Sequence, residues 1–448
     1  MTAWHAELAW LDGPREDVLL ECEGERIARV RTNAEAPQGA HRLKGLVLPG
    51  LANAHSHAFQ RALRGRSQPL GGGVNDFWSW RELMYRLAGV LESETLFELA
   101  RATYVEMVLA GITAVGEFHY VHHGAGGRPY ADPNETGLVL ARAAEQAGLR
   151  LTLLDACYLR GGLDGRPLKD AQLRFGDGSA EAWAQRVDRL ADSASFRVGA
   201  AIHSVRAVDE RSMAAVAAWA DRHGAPLHVH VSEQPAENRD CLAATGLTPV
   251  ELLDRAGALG PRTTAVHATH LEKRDLQLLG ASGTAVCLCP TTERDLADGV
   301  GPAAALAEAG SPLCLGSDSQ AVIDLFEEAR AVELDQRLVS GRRGHHSPEE
   351  LLEAMTGAGM DALGWDAGRL EPGRLADFVA VSLESVRLAG WRRGDLLRQV
   401  VYGATAADVS DVVVGGRHVV AHRRHSASYD PALQLHQAIR RLLYSLDG

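Results

Sequence analysis

The sequence predicts an α/β fold: a (β/α)8 TIM barrel with a small β-sandwich domain formed from the N- and C-terminal segments. Three observations carry this expectation. At 448 residues the chain is too long for one small core, yet a barrel with an appendage absorbs this length. From about residue 46, short β-branched runs alternate with longer helical stretches, eight times within roughly 275 residues, which suits a closed barrel better than an open doubly wound sheet. The two flanks have a different texture, short alternating strands split by glycine turns.

In chain order the eight barrel strands are expected at 45–55, 112–120, 149–158, 196–205, 226–233, 263–270, 283–290 and 312–319. Helical periodicity fills the intervals, as in 93–111, 210–224 and 248–260, each closed by a glycine. Residues 1–45 (ERIARVRTN) and 371–422 (LADFVAVSL, VSDVVVGGRHVVA) supply the two parts of the sandwich, leaving 46–370 as the barrel. Apolar residues at helical spacing make 423–448 a C-terminal surface helix.

An apolar fraction of 46% with 23% charged residues is that of an ordinary soluble globular protein. No stretch approaches the roughly 18 uninterrupted apolar residues of a membrane span, and MTAWHAELAWLDG lacks the pattern of a signal peptide, so a cytoplasmic, membrane-free setting is expected. The six cysteines show no CxxC pairing and read as reduced core residues. A net charge of −12 argues against nucleic acid as a partner, because phosphate binding is driven by basic patches.

The chemistry gathers at the strand ends. His55 and His57 stand two apart at the end of the first barrel strand, where alternation points them the same way about 6.6 Å apart along the strand. Taken alone, a His-x-His pair is more often filler than a metal site. But His203 ends the fourth strand, His228, His230 and Glu233 the fifth, His267 the sixth and Asp318 the eighth. Barrel active sites assemble at the C-terminal strand ends, so these groups converge, and core packing does not ask for buried imidazoles and carboxylates there. The fourth strand offers His203 where a lysine would bridge two ions, and Lys169 lies in a polar loop, so one divalent metal ion is expected. His228 competes with His230 as a ligand, and His270 with His267. His119, His122 and His123 read as loop or core residues.

The motifs HSH, H-x-x-E (His230 to Glu233), VHATH and GSDS resemble the amidohydrolase superfamily, specifically its mononuclear deaminases. HSHAFQRAL, DFWSWRELMYRL, EFHYVHH and HSVRAV are more narrowly similar to the formimidoylglutamate deiminases. The resemblance implies His55, His57, His230 and Asp318 as ligands of one divalent ion, Zn²⁺. It also implies Asp318 as acceptor of a proton from the attacking water, Glu233 as the shuttle to the substrate nitrogen, and His267 as the group that orients the water or stabilises the tetrahedral intermediate. Arg81 and Arg206 are assigned to the two carboxylates of N-formimino-L-glutamate, with Gln60, Tyr120 and His203 completing the polar lining. The implied partner is that small molecule, and the implied assembly a homodimer. Phe77, Trp78 and Trp80 keep open an aminohydrolase acting on a purine, pterin or triazine. A catalytically silent ligand-binding barrel is the alternative from another class.

Overall fold

The computed structural model describes residues 1–67 and 76–447. Two eight-stranded sheets divide the chain. The first is mixed and takes strands from both ends: β1 (Thr2–Trp10), β2 (Pro14–Glu23), β3 (Arg26–Arg31) and β4 (His41–Pro49). The second is the barrel: β5 (Leu51–Ser56), β6 (Ile112–His119), β7 (Arg150–Cys157), β8 (Phe196–Ser204), β9 (Leu227–Val231), β10 (Thr263–His267), β11 (Ala285–Leu288) and β12 (Leu313–Leu315). The chain then returns to the mixed sheet as β13 (Phe378–Val381), β14 (Val409–Val414), β15 (Arg417–Ala421) and β16 (Arg424–His425).

The barrel strands are parallel and ordered as they occur in the chain. A parallel bridge between Ser56 and Asp318 closes the barrel, with the Asp318 N–H donating to His55 O at 3.0 Å and the His57 N–H to Asp318 O at 3.0 Å. The same seam is stitched by Asn53, whose side chain donates to Ser317 Oγ at 2.7 Å and accepts from Ser317 N at 2.9 Å. Gly316 permits this approach, because a Cβ there would lie 2.7 Å from His55 Cβ. Barrel closure and the His-x-His motif are therefore one construction.

Several expected boundaries move. The apolar run at 45–55 is two strands, with Leu46–Pro49 in the mixed sheet and Leu51 opening the barrel. The crossing is at Gly50, where a Cβ would stand 2.2 Å from Thr113 Oγ1, so the chain turns between two packed units without a side chain. The helix expected over 248–260 stops at Arg255 and is followed by Gly257 with φ of 69°. At the C-terminus, Arg424 and His425 pair with β15, and the helix begins at Pro431, packing on helix Ser93–Leu109.

The mixed sheet buries Trp4, Leu20, Ile27, Leu43, Phe378 and Val413 in one apolar cluster. Arg150, at the foot of β7, ties this sheet to the barrel. It is 1% exposed and donates to both oxygens of Asp377, at 2.7 and 3.2 Å. Among the described residues no helix is long and apolar enough to cross a membrane. The six cysteines are free and buried.

Candidate active site

The strand ends bring His55, His57, His230, His267 and Asp318 into one buried cluster. His55 is the penultimate residue of β5. A register shift between Asn53 and Ser56 bends the strand there, and His57 is already outside it, capping the short helix Ala58–Leu63. Simple alternation therefore does not set the geometry of the pair. The bulge and the closing bridge do.

His55 Nε2 lies 3.1 Å from His230 Nε2 and 3.2 Å from Asp318 Oδ1. His57 Nε2 lies 3.4 Å from each of the same two atoms. Four ligands held tetrahedrally at about 2.0–2.1 Å from an ion are separated by about 3.3 Å, and these four separations, 3.1–3.4 Å, are of that size. The far side of two rings is also committed. His57 Nδ1 donates to Phe118 O at 2.8 Å and His230 Nδ1 donates to His203 O at 2.9 Å. Those bonds leave each Nε2 with a lone pair rather than a proton, and the lone pairs face one another across 3.4 Å. Facing acceptors repel unless a cation lies between them. Burial pushes the His55 imidazole down to about 3 and lowers those of His57 and His230, so the ligands are neutral near pH 7.

His267 and Glu233 complete the cluster. His267 Nε2 is 3.7 Å from Glu233 Oε1 and 3.9 Å from Asp318 Oδ2, while its Nδ1 is 3.4 Å from Glu293 Oε1. Burial opposes its charge, but Glu233, Glu293 and Asp318 outweigh that and push it up to about 10. Glu233 is raised by burial, with His267 and Arg206 opposing. The backbone is left-handed at Ser232 (φ 52°), His267 (69°) and Asp318 (40°), and the last two line the cavity. Such conformations cost of order ~1–3 kcal/mol each outside glycine and collect where a site needs them.

A cavity of about 510 Å³ opens from the cluster. Gln60, Tyr120, His203, Arg206 and Arg81, the residues expected to contact substrate, all line it. Gln60 donates to Tyr120 Oη at 3.2 Å, and its own carbonyl oxygen is buried without a partner among the described residues. Arg206 stands 3.7 Å from Glu233 and 3.8 Å from Glu237. Arg81 pairs with no carboxylate among the described residues and lies 4.4 Å over the Trp78 ring.

The competing histidines separate cleanly. His228 faces the barrel interior one layer lower and meets Ala362 O at 3.0 Å, and His270 meets Asp298 O at 2.8 Å in the loop after β10. His122 and His123 are buried beside Asp155 and Asp177 instead.

Sequence reasoning missed two groups. Tyr85, Tyr158, Arg160 and Arg166 line the cavity, and only Tyr85 carried a signal, four residues beyond Arg81 on one helical face. The second group is acids that hold ligand-bearing backbone. Glu117 accepts from Ala58 N at 2.7 Å and Ser56 Oγ at 2.8 Å, and burial pushes it up to about 8. Glu293 accepts from Cys289 N at 2.9 Å.

Residues 46–419 match the model of the amidohydrolase family. The chain is 38% identical to a formimidoylglutamate deiminase of Pseudomonas aeruginosa, covering 99% of this chain and 100% of that protein. It is 32% identical to an 8-oxoguanine deaminase of the same organism, over 83% and 81% of the two chains. Among solved structures, an amidohydrolase from Brucella melitensis superposes with a TM-score of 0.92 at 33% identity, covering 99% of this chain and 100% of that one. An adenosine deaminase from Xanthomonas campestris with bound zinc shares the fold, with a TM-score of 0.84 at 24% identity over 100% and 98% of the two chains. The chain belongs to the amidohydrolase family.

Proposed function

We propose that this enzyme hydrolyses N-formimino-L-glutamate to N-formyl-L-glutamate and ammonia, a deimination belonging to histidine degradation. The observation that carries the reading is the cavity's division of labour. One end holds the ligand and acid/base cluster, and Arg81 and Arg206 add two guanidinium groups to the lining. A dicarboxylate bearing a cationic amidine needs that arrangement. The similarity to the Pseudomonas aeruginosa deiminase along the whole chain supports it.

His55, His57, His230 and Asp318 would hold one divalent ion, and Zn²⁺ suits three neutral imidazoles and a carboxylate. When bound, the ion lowers the pKa of a ligating water to about 7. The remaining work falls to the chain. Asp318 would accept a proton from the attacking water, and Glu233 would carry a proton to the formimino nitrogen, which must leave as ammonia. His267 holds its proton beside both carboxylates and donates to the oxygen that gains charge as the carbon becomes tetrahedral. Arg81 and Arg206 fix the two carboxylates, which orients the amidine toward Glu233. A cytoplasmic setting belongs to the same reading and is supported by six free, buried cysteines.

A purine aminohydrolase would use the aromatic wall to stack a base. Trp78 already stacks on the Arg81 guanidinium, which favours the amino-acid substrate. The test is steady-state ammonia release from N-formimino-L-glutamate beside guanine, cytosine and N-formimino-L-aspartate. Preference for the first is expected. Turnover of a base with none of the formimino compounds would sink the reading.

A further inference from the structure

Two phenols in the cavity have no task in the mechanism above. Tyr85 lies one helical turn beyond Arg81, on helix Phe77–Val90, and Tyr158 directly follows β7. Their hydroxyl oxygens are 3.3 Å apart. Gln172 reaches both, its amide nitrogen donating to Tyr85 Oη at 3.3 Å and to Tyr158 Oη at 3.0 Å. Gln172 is itself held, because its turn, Asp170–Arg174, ends on a buried arginine that donates to the carbonyls of Ala88, Leu91 and His123.

The donors and acceptors can be counted. The two amide N–H bonds of Gln172 are spent on the two phenol oxygens, which leaves the two phenol protons to place. One of them can pass to the other phenol. The second has no acceptor among the described residues, and both side chains line the cavity. A phenol proton that faces the cavity with no acceptor from the chain is free to bond a ligand there. The ligand's charge is indicated by the neighbours. The Arg81 guanidinium lies 5.6 Å from the centre of the Tyr85 ring, and Arg206 lines the same cavity. Burial keeps the Tyr158 hydroxyl well above the ordinary phenol range, so it remains a donor.

We propose that Tyr85 and Tyr158, set by Gln172, form a specificity-determining donor pair that hydrogen-bonds the substrate carboxylate received by Arg81. The pair thereby selects dicarboxylic formimino amino acids over monocarboxylic ones. This inference rests on the substrate reading given above for the same cavity.

The test compares Y85F, Y158F and Y85F/Y158F on N-formimino-L-glutamate and on the formimino derivatives of 4-aminobutyrate and L-2-aminobutyrate, each of which lacks one carboxylate. Each compound is followed as substrate or as competitive inhibitor. The double variant is expected to raise KM for the dicarboxylate about tenfold or more, as loss of a hydrogen bond to a charged group does, with kcat within about twofold. Each single variant leaves one unspent phenol proton, so its KM should rise no more than about threefold. The derivative that already lacks the contacted carboxylate should bind wild type and double variant alike. Equal losses on all three compounds, or a single variant as weak as the double, would overturn the proposal alone. No turnover of any formimino compound by the wild type would overturn the substrate reading, and the proposal with it.

Discussion

Two clusters of buried histidine and carboxylate sit near the same end of the barrel, and they differ in how their protons are placed. In the cluster behind β6 and β7, Arg186 donates to both oxygens of Asp155 at 2.8 Å and to both of Asp177 at 2.9 Å. Trp183 adds a donor to Asp155 at 2.9 Å, and Asn134 accepts from Arg186 at 3.2 Å. Cation and anions are spent on each other. In the cluster at the seam of β5 and β12, the Nε2 atoms of His55, His57 and His230 lie 3.1–3.4 Å from one another or from Asp318, and among the described residues no Arg or Lys pairs with Asp318, whose charged neighbour His267 stands off at 3.9 Å. Residue types alone do not tell these clusters apart. The pairing of donors with acceptors does, and it says which one requires an ion.

The strongest way to break this contrast is Asp318→Asn. It keeps the shape and removes the one negative ligand, so bound metal should fall together with turnover. The loss should be no smaller than the roughly 10²–10⁴-fold that follows removal of a positioned acid/base group. Chelation of the wild type should match it and reverse on adding Zn²⁺. A variant that retains both metal, by elemental analysis, and ammonia release would mean that Asp318 is not a ligand. Glu233→Gln separates chemistry from metal binding in the same cluster. It should cost about 10²–10⁴ in kcat while the metal content stays at wild-type level.

How far the sequence reaches follows the same division. His55, His57, His230, His267 and Asp318 were legible because each stands at a strand end, and barrel topology brings strand ends together. Glu117 and Glu293 were not, since their task is to hold the backbone at Ala58 and Cys289, a relation that appears only after folding. Tyr158 and Gln172 meet across a loop whose path no periodicity records. Gly50 broke the first expected strand because its reason is a contact with Thr113, 63 residues on. Apolar pattern reports which residues are buried. It does not report which buried polar atoms find each other.

The satisfied cluster makes the complementary prediction. Arg186→Met leaves two buried carboxylates without their cation, which typically costs about 3–5 kcal/mol of stability. Urea denaturation would measure this, and turnover per folded molecule should change little. The pH dependence has a definite sign. Although burial opposes their charge, Arg186 and its neighbours hold Asp155 and Asp177 below the usual carboxylate range. Depressed carboxylates stabilise the fold above their unfolded value of about 3.9, and that contribution is lost as pH falls through the folded values. The difference between wild type and variant should therefore be largest at neutral pH and shrink as pH falls, first as the variant's unpaired buried carboxylates take up protons and last, below about pH 4, as those of the wild type do. A difference constant to pH 2 would mean that the ion pairs contribute nothing.

The smallest effect should come from His228, which shares a strand face with His230 but lies one layer deeper. Its Nε2 donates to Ala362 O at 3.0 Å, and burial pushes it down to about 4, so it is a neutral hydrogen-bonding core residue. His228→Leu leaves that carbonyl unpaired at a cost of about 1–3 kcal/mol, with metal content and ammonia release unchanged. The equivalent change at His230 should abolish both. Two histidines two residues apart on one strand would then differ in every functional readout, because one Nε2 faces a carbonyl and the other faces the Nε2 atoms of His55 and His57. Loss of metal in the His228 variant would show instead that the two layers are coupled, and that depth along the strand does not separate structural from catalytic imidazoles here.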